Sequence, residues 1–210
     1  EISQLFNKNI LPLDVALIQV SPPDKHGYCS LGPSVDIARA ALHASKKKIA
    51  QVNPNIPRVH GDSFVPFSIF DASVYVDEPL PEVRYEDSTS EIDKVIGKKV
   101  AEMVPDGATL QIGIGNIPNA VLSNLTNHKN LGLHTEMFSD SVIPLIQAGV
   151  IDNSQKKIAN GYSVTSFVLG SKKLYDFVDD NPAIKAMDIH YVNDPRVLCL
   201  NPQVTAINSA

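Results

Sequence analysis

Short β-rich apolar runs alternate along the chain with stretches whose apolar residues recur at helical spacing. DVALIQVS (14–21) reads as a strand, and PSVDIARAALHASKK (33–47) carries helical spacing at Ile37, Ala38, Ala41 and Leu42. KIAQVNP (48–54) is strand-like again, which gives a strand–helix–strand unit. After ASVYVD (72–77), the segment EPLPEVRYEDSTS (78–90) is rich in Pro, acids and Ser, the composition of a linker or long surface connection. The boundary predicted there divides the chain into residues 1–84 and 85–210.

The second stretch opens with a helix. Ser88 or Ser90 is placed to cap EIDKVIGKKVAEMV, whose residues Ile92, Val95, Ile96, Val100, Met103 and Val104 form one apolar face, and Asp106-Gly107 ends it. ATLQIGIG then reads as strand and tight turn, IPNAVLSNL as helix, and NLGLHTE as strand. SVIPLIQAG follows as a helix capped by Ser139 or Asp140 and stopped at Gly149. Farther on, KKIANG, VTSFVLG, AIKAMDIHYV and VLCLN mix strand-like runs with short helical or turn segments. Strands alternating with helices predict an α/β protein with open, mostly parallel sheets and helices on both faces.

Composition narrows the function. The 210 residues are 43% hydrophobic, enough for a proper core in one large or two modest domains. A net charge of -5 argues against nucleic acid as the main partner, and the one basic run, Lys46 to Lys48, reads as a solvated helix end. No run approaches the ~18 apolar residues of a membrane span, and no basic-then-apolar signal pattern opens the chain. A cytoplasmic protein is expected, with Cys29 and Cys199 as free thiols. The six histidines show no ligand spacing, so no metal is expected. An opening at EISQLF without Met, and an end inside the strand-like VTAINSA, predict a piece of a longer protein.

The chemistry concentrates in QIGIGNIPNAV (111–121) and HTEMFSD (134–140). Glu136 falls at the carboxyl end of a predicted strand, just before a predicted helix, where ligands bind in open α/β sheets. Gly113 and Gly115 permit a sharp turn and close backbone approach, and Pro118 suits the first turn of a helix. Amide donors at such a turn can hold a phosphate or stabilise an oxyanion. One enzyme reading is a dinucleotide site, with Glu136 near the ribose-binding spacing, though Pro118 stands where a third glycine belongs. The other takes Glu136 as a nucleophile on an activated acyl carbon, forming an anhydride that a thiol converts to a thioester on the enzyme. A third treats the segment as a binding or interface piece.

GIGNIPNAV and LGLHTEMFSD together resemble the acetyl-CoA hydrolase/transferase family, and SPPDKHGYCSLG (21–32), QVNPNIPRVHGDS (51–63) and VNDPRVLCLNPQVTAINSA (192–210) are similar to it in the same order. The resemblance implies the CoA-transferase fold of two similar domains, of which this chain holds parts. It implies that Glu136 forms a glutamyl-CoA thioester, and that Gly113, Ile114, Gly115, Asn116 and Ile117 contact CoA or the acyl oxygen. Asn193 of VNDP is a site contact by the same match. Implied partners are an acyl-CoA and a small carboxylate, with coenzyme A as substrate, no permanently bound cofactor, and room for a homo-oligomer. Hydrolysis of the acyl-CoA, with water rather than a second acid taking the acyl group, is the alternative within the family, and the sequence does not separate the two. Family members are about twice this length, and glycine-rich CoA-contacting segments of their carboxyl half have no counterpart here, which agrees with a piece of a longer protein.

Plainer readings stand beside these. Glu136 could merely favour a helix dipole, and Asn193 could cap a turn before Pro195. His134, two residues before Glu136, could polarise it or lie in the core, and the core role is favoured. His60, Asp62 and Ser63 suit a loop shaping the site rather than a triad, for no GxSxG elbow exists in the sequence.

Overall fold

The computed structural model describes residues 2–83 and 90–208. In chain order the first stretch contains α1 (Ile2–Asn7), β1 (Leu13–Val20), β2 (Tyr28–Ser30), α2 (Ala38–Ala44), β3 (Ser45–Val52), β4 (His60–Gly61), β5 (Phe64–Pro66) and β6 (Ala72–Tyr75). The second contains α3 (Glu91–Ala101), β7 (Thr109–Ile112), α4 (Asn116–Ser123), β8 (Gly132–Leu133), β9 (Met137–Phe138), α5 (Ile143–Gln147), β10 (Ser163–Thr165) and β11 (Phe167–Val168). It ends with α6 (Lys172–Val178), β12 (Ile184–Ala186), α7 (Ile189–Val192), α8 (Pro195–Leu198) and β13 (Thr205–Ile207).

The predicted strand–helix–strand unit is present. β1 and β3 run parallel from Leu13 opposite Ser45 to Val20 opposite Val52, and β6 extends the sheet beside β3. The helix is shorter than its spacing predicted, because Ser45 turns the chain into extended backbone and its hydroxyl donates to the Leu42 carbonyl. Lys46 to Lys48 therefore lie on β3 rather than on a helix end. Cross-strand pairs hold two of them, Lys46 to Asp14 at 2.8 Å and Lys47 to Asp71 at 3.0 Å. One face of this sheet carries Val15, Leu17 and Val74 outward, and Leu17 is 75% exposed.

The described sheets are parallel apart from the β2–β5 pair, which makes this an α/β architecture. β4, from before residue 84, joins β12 and β10 in one sheet, and the apolar core draws on both stretches, from Val20 and Val52 to Leu110, Leu133 and Val168. The Pro-rich connection is docked rather than free as far as residue 83. Tyr175 Oη donates to the Pro81 carbonyl at 2.7 Å, and the Lys172 amide at the start of α6 donates to the Glu82 carboxylate at 3.0 Å. Ser88 lies outside the described residues, whereas Ser90 caps α3 in a reciprocal box with Asp93.

The apolar stripe expected on α3 is buried only toward its carboxyl end, where Val100 packs against the core and Val104 is buried. Ile92, Val95 and Met103 are exposed, and the helix meets α4 through Gly97 and Ala101. A Cβ at position 97 would come within 2.6 Å of the Ala120 backbone, so close approach of the two helices selects the small-residue face over the broader one.

Candidate active site

Three consecutive residues, His134, Thr135 and Glu136, are each fixed to a different part of the fold. β7 and β8 pair through Thr109 opposite Gly132 and Leu110 opposite Leu133, and the His134 amide still donates to the Leu110 carbonyl at 3.0 Å. There the backbone ladder stops. The buried Thr135 hydroxyl takes its place, accepting from the Ile112 amide at 2.9 Å and donating to the Ile112 carbonyl at 2.7 Å. A side chain spaced between the strands lets them part, and a cleft opens just beyond.

Glu136 occupies a bend at the mouth of that cleft, and from Leu131 to Ser139 it alone is exposed. Its carbonyl accepts from the Ser166 and Phe167 amides, both at 2.9 Å, and from the Thr165 hydroxyl at 3.1 Å. The backbone is thereby held while the side chain is left to solvent. The sequence expected a helix to follow directly, but β9 intervenes and pairs with β11. Nor does Ser139 or Asp140 cap a helix with its side chain; the Asp140 carboxylate instead accepts from the amide and hydroxyl of Ser171.

Among the described residues, the Glu136 carboxylate has one side-chain partner. Asn193 Nδ2 donates to its Oε2 at 2.7 Å. Asn193 follows α7, and its amide is held by the Ile189 carbonyl at 2.9 Å. The end of α7 is anchored from the opposite side, because His134 Nε2 lies 3.1 Å from the Val192 carbonyl and its ring lies 5.8 Å from that of Tyr191. Burial pushes the His134 pKa down to about 4, with Lys156 adding to the effect and the Val192 bond opposing it. The ring is neutral near pH 7, donates through Nε2–H, and does not polarise Glu136. This is the core role that the sequence favoured.

The cleft beside Glu136 has a volume of about 300 Å³, and Gly113, Ile114, Met137 and Phe167 contribute to its walls. Other hollows, one of about 630 Å³ between α3 and α4 and one of about 270 Å³ against α6, do not contain Glu136. The glycine turn divides its labour. Gly113 and Ile114 reach the cleft, but the Gly113 amide already donates to the Ile207 carbonyl at 2.8 Å and cannot serve as an oxyanion donor. Gly115 adopts φ +118°, which favours glycine, and precedes α4. Asn116 hydrogen-bonds Asp93 of α3, and Ile117 packs against the core, so neither belongs to the cleft wall.

His60, Asp62 and Ser63 form no triad. His60 pairs with Asp180 at 3.0 Å, Ser63 is buried against the Val59 carbonyl, and Asp62 accepts from the amide of Asp188, the residue that caps α7. Cys29 is buried and its thiol is pushed up to about 11, chiefly by that burial. Among the described residues, no cluster of His, Cys, Asp or Glu is arranged to hold a metal ion, and no helix is long and apolar enough to cross a membrane. Sequence reasoning passed over Thr135 and Phe167. Thr135 lay in plain view inside HTE, but nothing in its spacing signals a hydroxyl that replaces a rung of the ladder.

Residues 1–96 match the acetyl-CoA hydrolase/transferase N-terminal domain, and residues 170–210 match the C-terminal domain of the same name. The stretch bearing Glu136 lies between those ranges and is spanned by relatives that align along the whole chain. A succinyl-CoA:acetate/propanoyl-CoA:succinate CoA transferase of Fasciola hepatica is 50% identical over 100% of this chain and 44% of its own length. A 4-hydroxybutyrate coenzyme A transferase of Clostridium kluyveri is 48% identical over 100% of this chain and 48% of its own. The crystal structure of a 4-hydroxybutyrate CoA-transferase from Porphyromonas gingivalis superposes with a TM-score of 0.94 at 42% identity, covering 99% of this chain and 53% of that one. The chain thus spans about half the length of the curated relatives it matches. It belongs to the acetyl-CoA hydrolase/transferase family.

Proposed function

We propose that this chain carries the nucleophile of an acyl-CoA:carboxylate CoA-transferase, with Glu136 as the attacking group and coenzyme A as a substrate rather than a resident cofactor. The observation that carries the reading is the state of the Glu136 carboxylate. It is exposed at a cleft on a rigid backbone, one amide donor touches it, and among the described residues no cation pairs with it. A salt bridge would stabilise the charge and blunt the attack. The names of the relatives support the same class, and a cytoplasmic location suits its substrates.

In the first step a Glu136 oxygen attacks the acyl carbonyl carbon, the carbon–sulfur bond breaks, and CoA leaves as a thiolate. The product is a mixed anhydride. The thiolate then attacks the glutamyl carbonyl carbon and expels the donor acid, leaving a glutamyl-CoA thioester. An acceptor carboxylate reverses both steps. During thiolate attack, negative charge builds on the glutamyl oxygen that is not part of the anhydride bridge. Asn193 Nδ2, 2.7 Å from Oε2, is placed to stabilise it.

Atom balance supplies a test. The bridging oxygen of the second anhydride comes from the acceptor and stays with the enzyme. Full-length protein turned over with acyl-CoA and an acceptor labelled with oxygen-18 in its carboxylate should therefore carry the label in Glu136. Label absent from Glu136 after complete turnover excludes its attack. Relatives named acetyl-CoA hydrolase, such as one from Kluyveromyces lactis at 35% identity over 47% of this chain, keep hydrolysis as a second reading. Free CoA released without an acceptor at the transfer rate would favour it.

A further inference from the structure

The wall of the Glu136 cleft includes a pair of side-chain amides that the proposed chemistry does not use. Gln111 lies on β7 and Asn208 just past β13, and both line the cleft. They face each other reciprocally. Asn208 Nδ2 donates to Gln111 Oε1 at 3.0 Å, and Gln111 Nε2 donates to Asn208 Oδ1 at 3.5 Å. Gly113 makes room for this pair, since a Cβ there would come within 2.6 Å of Asn208 Oδ1. The glycine is thus explained by a neighbouring side chain as well as by the approach of a ligand.

A primary amide offers two N–H donors and two carbonyl lone pairs. The reciprocal pairing uses one of each on either residue, so each amide keeps one donor and one acceptor, and Asn208 is exposed. The described residues lining the cleft include no Lys, Arg or His. Phosphates and a free carboxylate, which call for a cation or a charge-assisted bond, are poorly matched to this wall. A secondary amide, with one N–H and one carbonyl, is matched well. The arm of coenzyme A between thiol and nucleotide is a pantetheine chain with two such amides, and its methylenes suit the apolar Ile114, Met137 and Phe167 of the same cleft.

We infer that Gln111 and Asn208 form the subsite that binds an amide of the pantetheine arm and aims the thioester at Glu136. This rests on the CoA-transferase reading. It makes the two residues binding and positioning groups, distinct from the nucleophile.

The test uses full-length protein with Gln111→Met, which keeps the size of the side chain but removes its amide, and Asn208→Leu as a second variant. Free pantetheine is titrated calorimetrically, and kcat/KM is measured with acetyl-CoA, acetyl-pantetheine and the acetyl thioester of an amide-free thiol. Pantetheine affinity and kcat/KM for the two amide-bearing thioesters should each fall about tenfold in Gln111→Met, with the KM of the acceptor carboxylate unmoved. The deficit should vanish with the amide-free thioester. Equal losses on all three thioesters, or a rise confined to the acceptor KM, would overturn the inference. If wild type binds pantetheine and Gln111→Met does not, yet Glu136 is never modified, the subsite stands and the nucleophile assignment fails. If both bind pantetheine equally, the subsite fails whatever Glu136 does.

Discussion

The Thr135 hydroxyl both accepts from the amide and donates to the carbonyl of Ile112, closing a two-bond bridge between a side chain and one backbone residue. It lies just past the end of the β7–β8 pairing and next to Glu136, which lines the cleft together with Ile112. Thr135→Val keeps the shape but leaves both buried Ile112 groups unpaired, at a cost of about 2–4 kcal/mol. Thr135→Ser keeps the hydroxyl and should lose only about 1 kcal/mol for the methyl. Denaturant unfolding of the pair checks this, and equal stability of the two variants would contradict it.

Asn193→Ala should leave unfolding midpoints nearly unchanged and lower kcat by about 10²–10³-fold, the usual consequence of removing one oxyanion donor. Asn193→Asp should be at least as slow, since it sets a second carboxylate against Glu136 at hydrogen-bond range. Steady-state kinetics on the full-length protein decides it. Activity within a factor of two of wild type would remove Asn193 from the site.

Lys156 is buried, and among the described residues no carboxylate pairs with it; its Nζ donates to the Leu133 carbonyl at 2.9 Å and the Tyr162 carbonyl at 2.6 Å. Burial, with Lys185 nearby, pushes its pKa down to about 7 from 10.5. The sign follows from linkage. Between those two values the unfolded chain binds the proton and the folded one does not, so stability from this group rises with pH from about 7 to about 10.5. Lys156→Met should remove that rise, measured as unfolding free energy against pH.

His134 gives a second titration, on the acid side. Its folded pKa of about 4 lies below the ordinary 6.5, so its contribution is present above 6.5 and is lost as pH falls toward 4. His134→Gln should flatten the acid limb of the stability profile. Because the ring anchors Val192, the substitution should also weaken the Asn193–Glu136 contact and slow turnover.

Gly97→Ala tests the helix contact against local propensity. In an isolated helix the change favours the helical state by about 1 kcal/mol. Here the new Cβ would meet Ala120 backbone at 2.6 Å, so the protein should instead be destabilised, as a thermal melt would read. A raised melting temperature would mean that α3 and α4 part at little cost.

Much of this was legible in the sequence because it depends on local pattern. Alternation fixed β1 and β3 to within a few residues, Ser90 with Asp93 announced the start of α3, and HTE marked the acid that proves to be the exposed residue of its stretch. What failed depends on contacts far along the chain. The apolar stripe of α3 is buried only at Val100 and Val104 because the contact with α4 runs through Gly97 against Ala120, and Lys46 to Lys48 passed for a helix end because their partners Asp14 and Asp71 are distant in sequence. Asn116 and Ile117, read beside Gly113 as site residues, sit at the start of α4, where Asn116 hydrogen-bonds Asp93 and Ile117 packs against the core.

The central claim is that Glu136 becomes covalently attached to CoA. Full-length protein is incubated with acetyl-CoA, digested, and the peptide containing HTEMFSD is weighed before and after borohydride. The account predicts a CoA adduct on Glu136 that borohydride removes, with reduction of the side chain, and that is absent in Glu136→Ala. Acyl-CoA bound and turned over with this peptide unmodified throughout would contradict it.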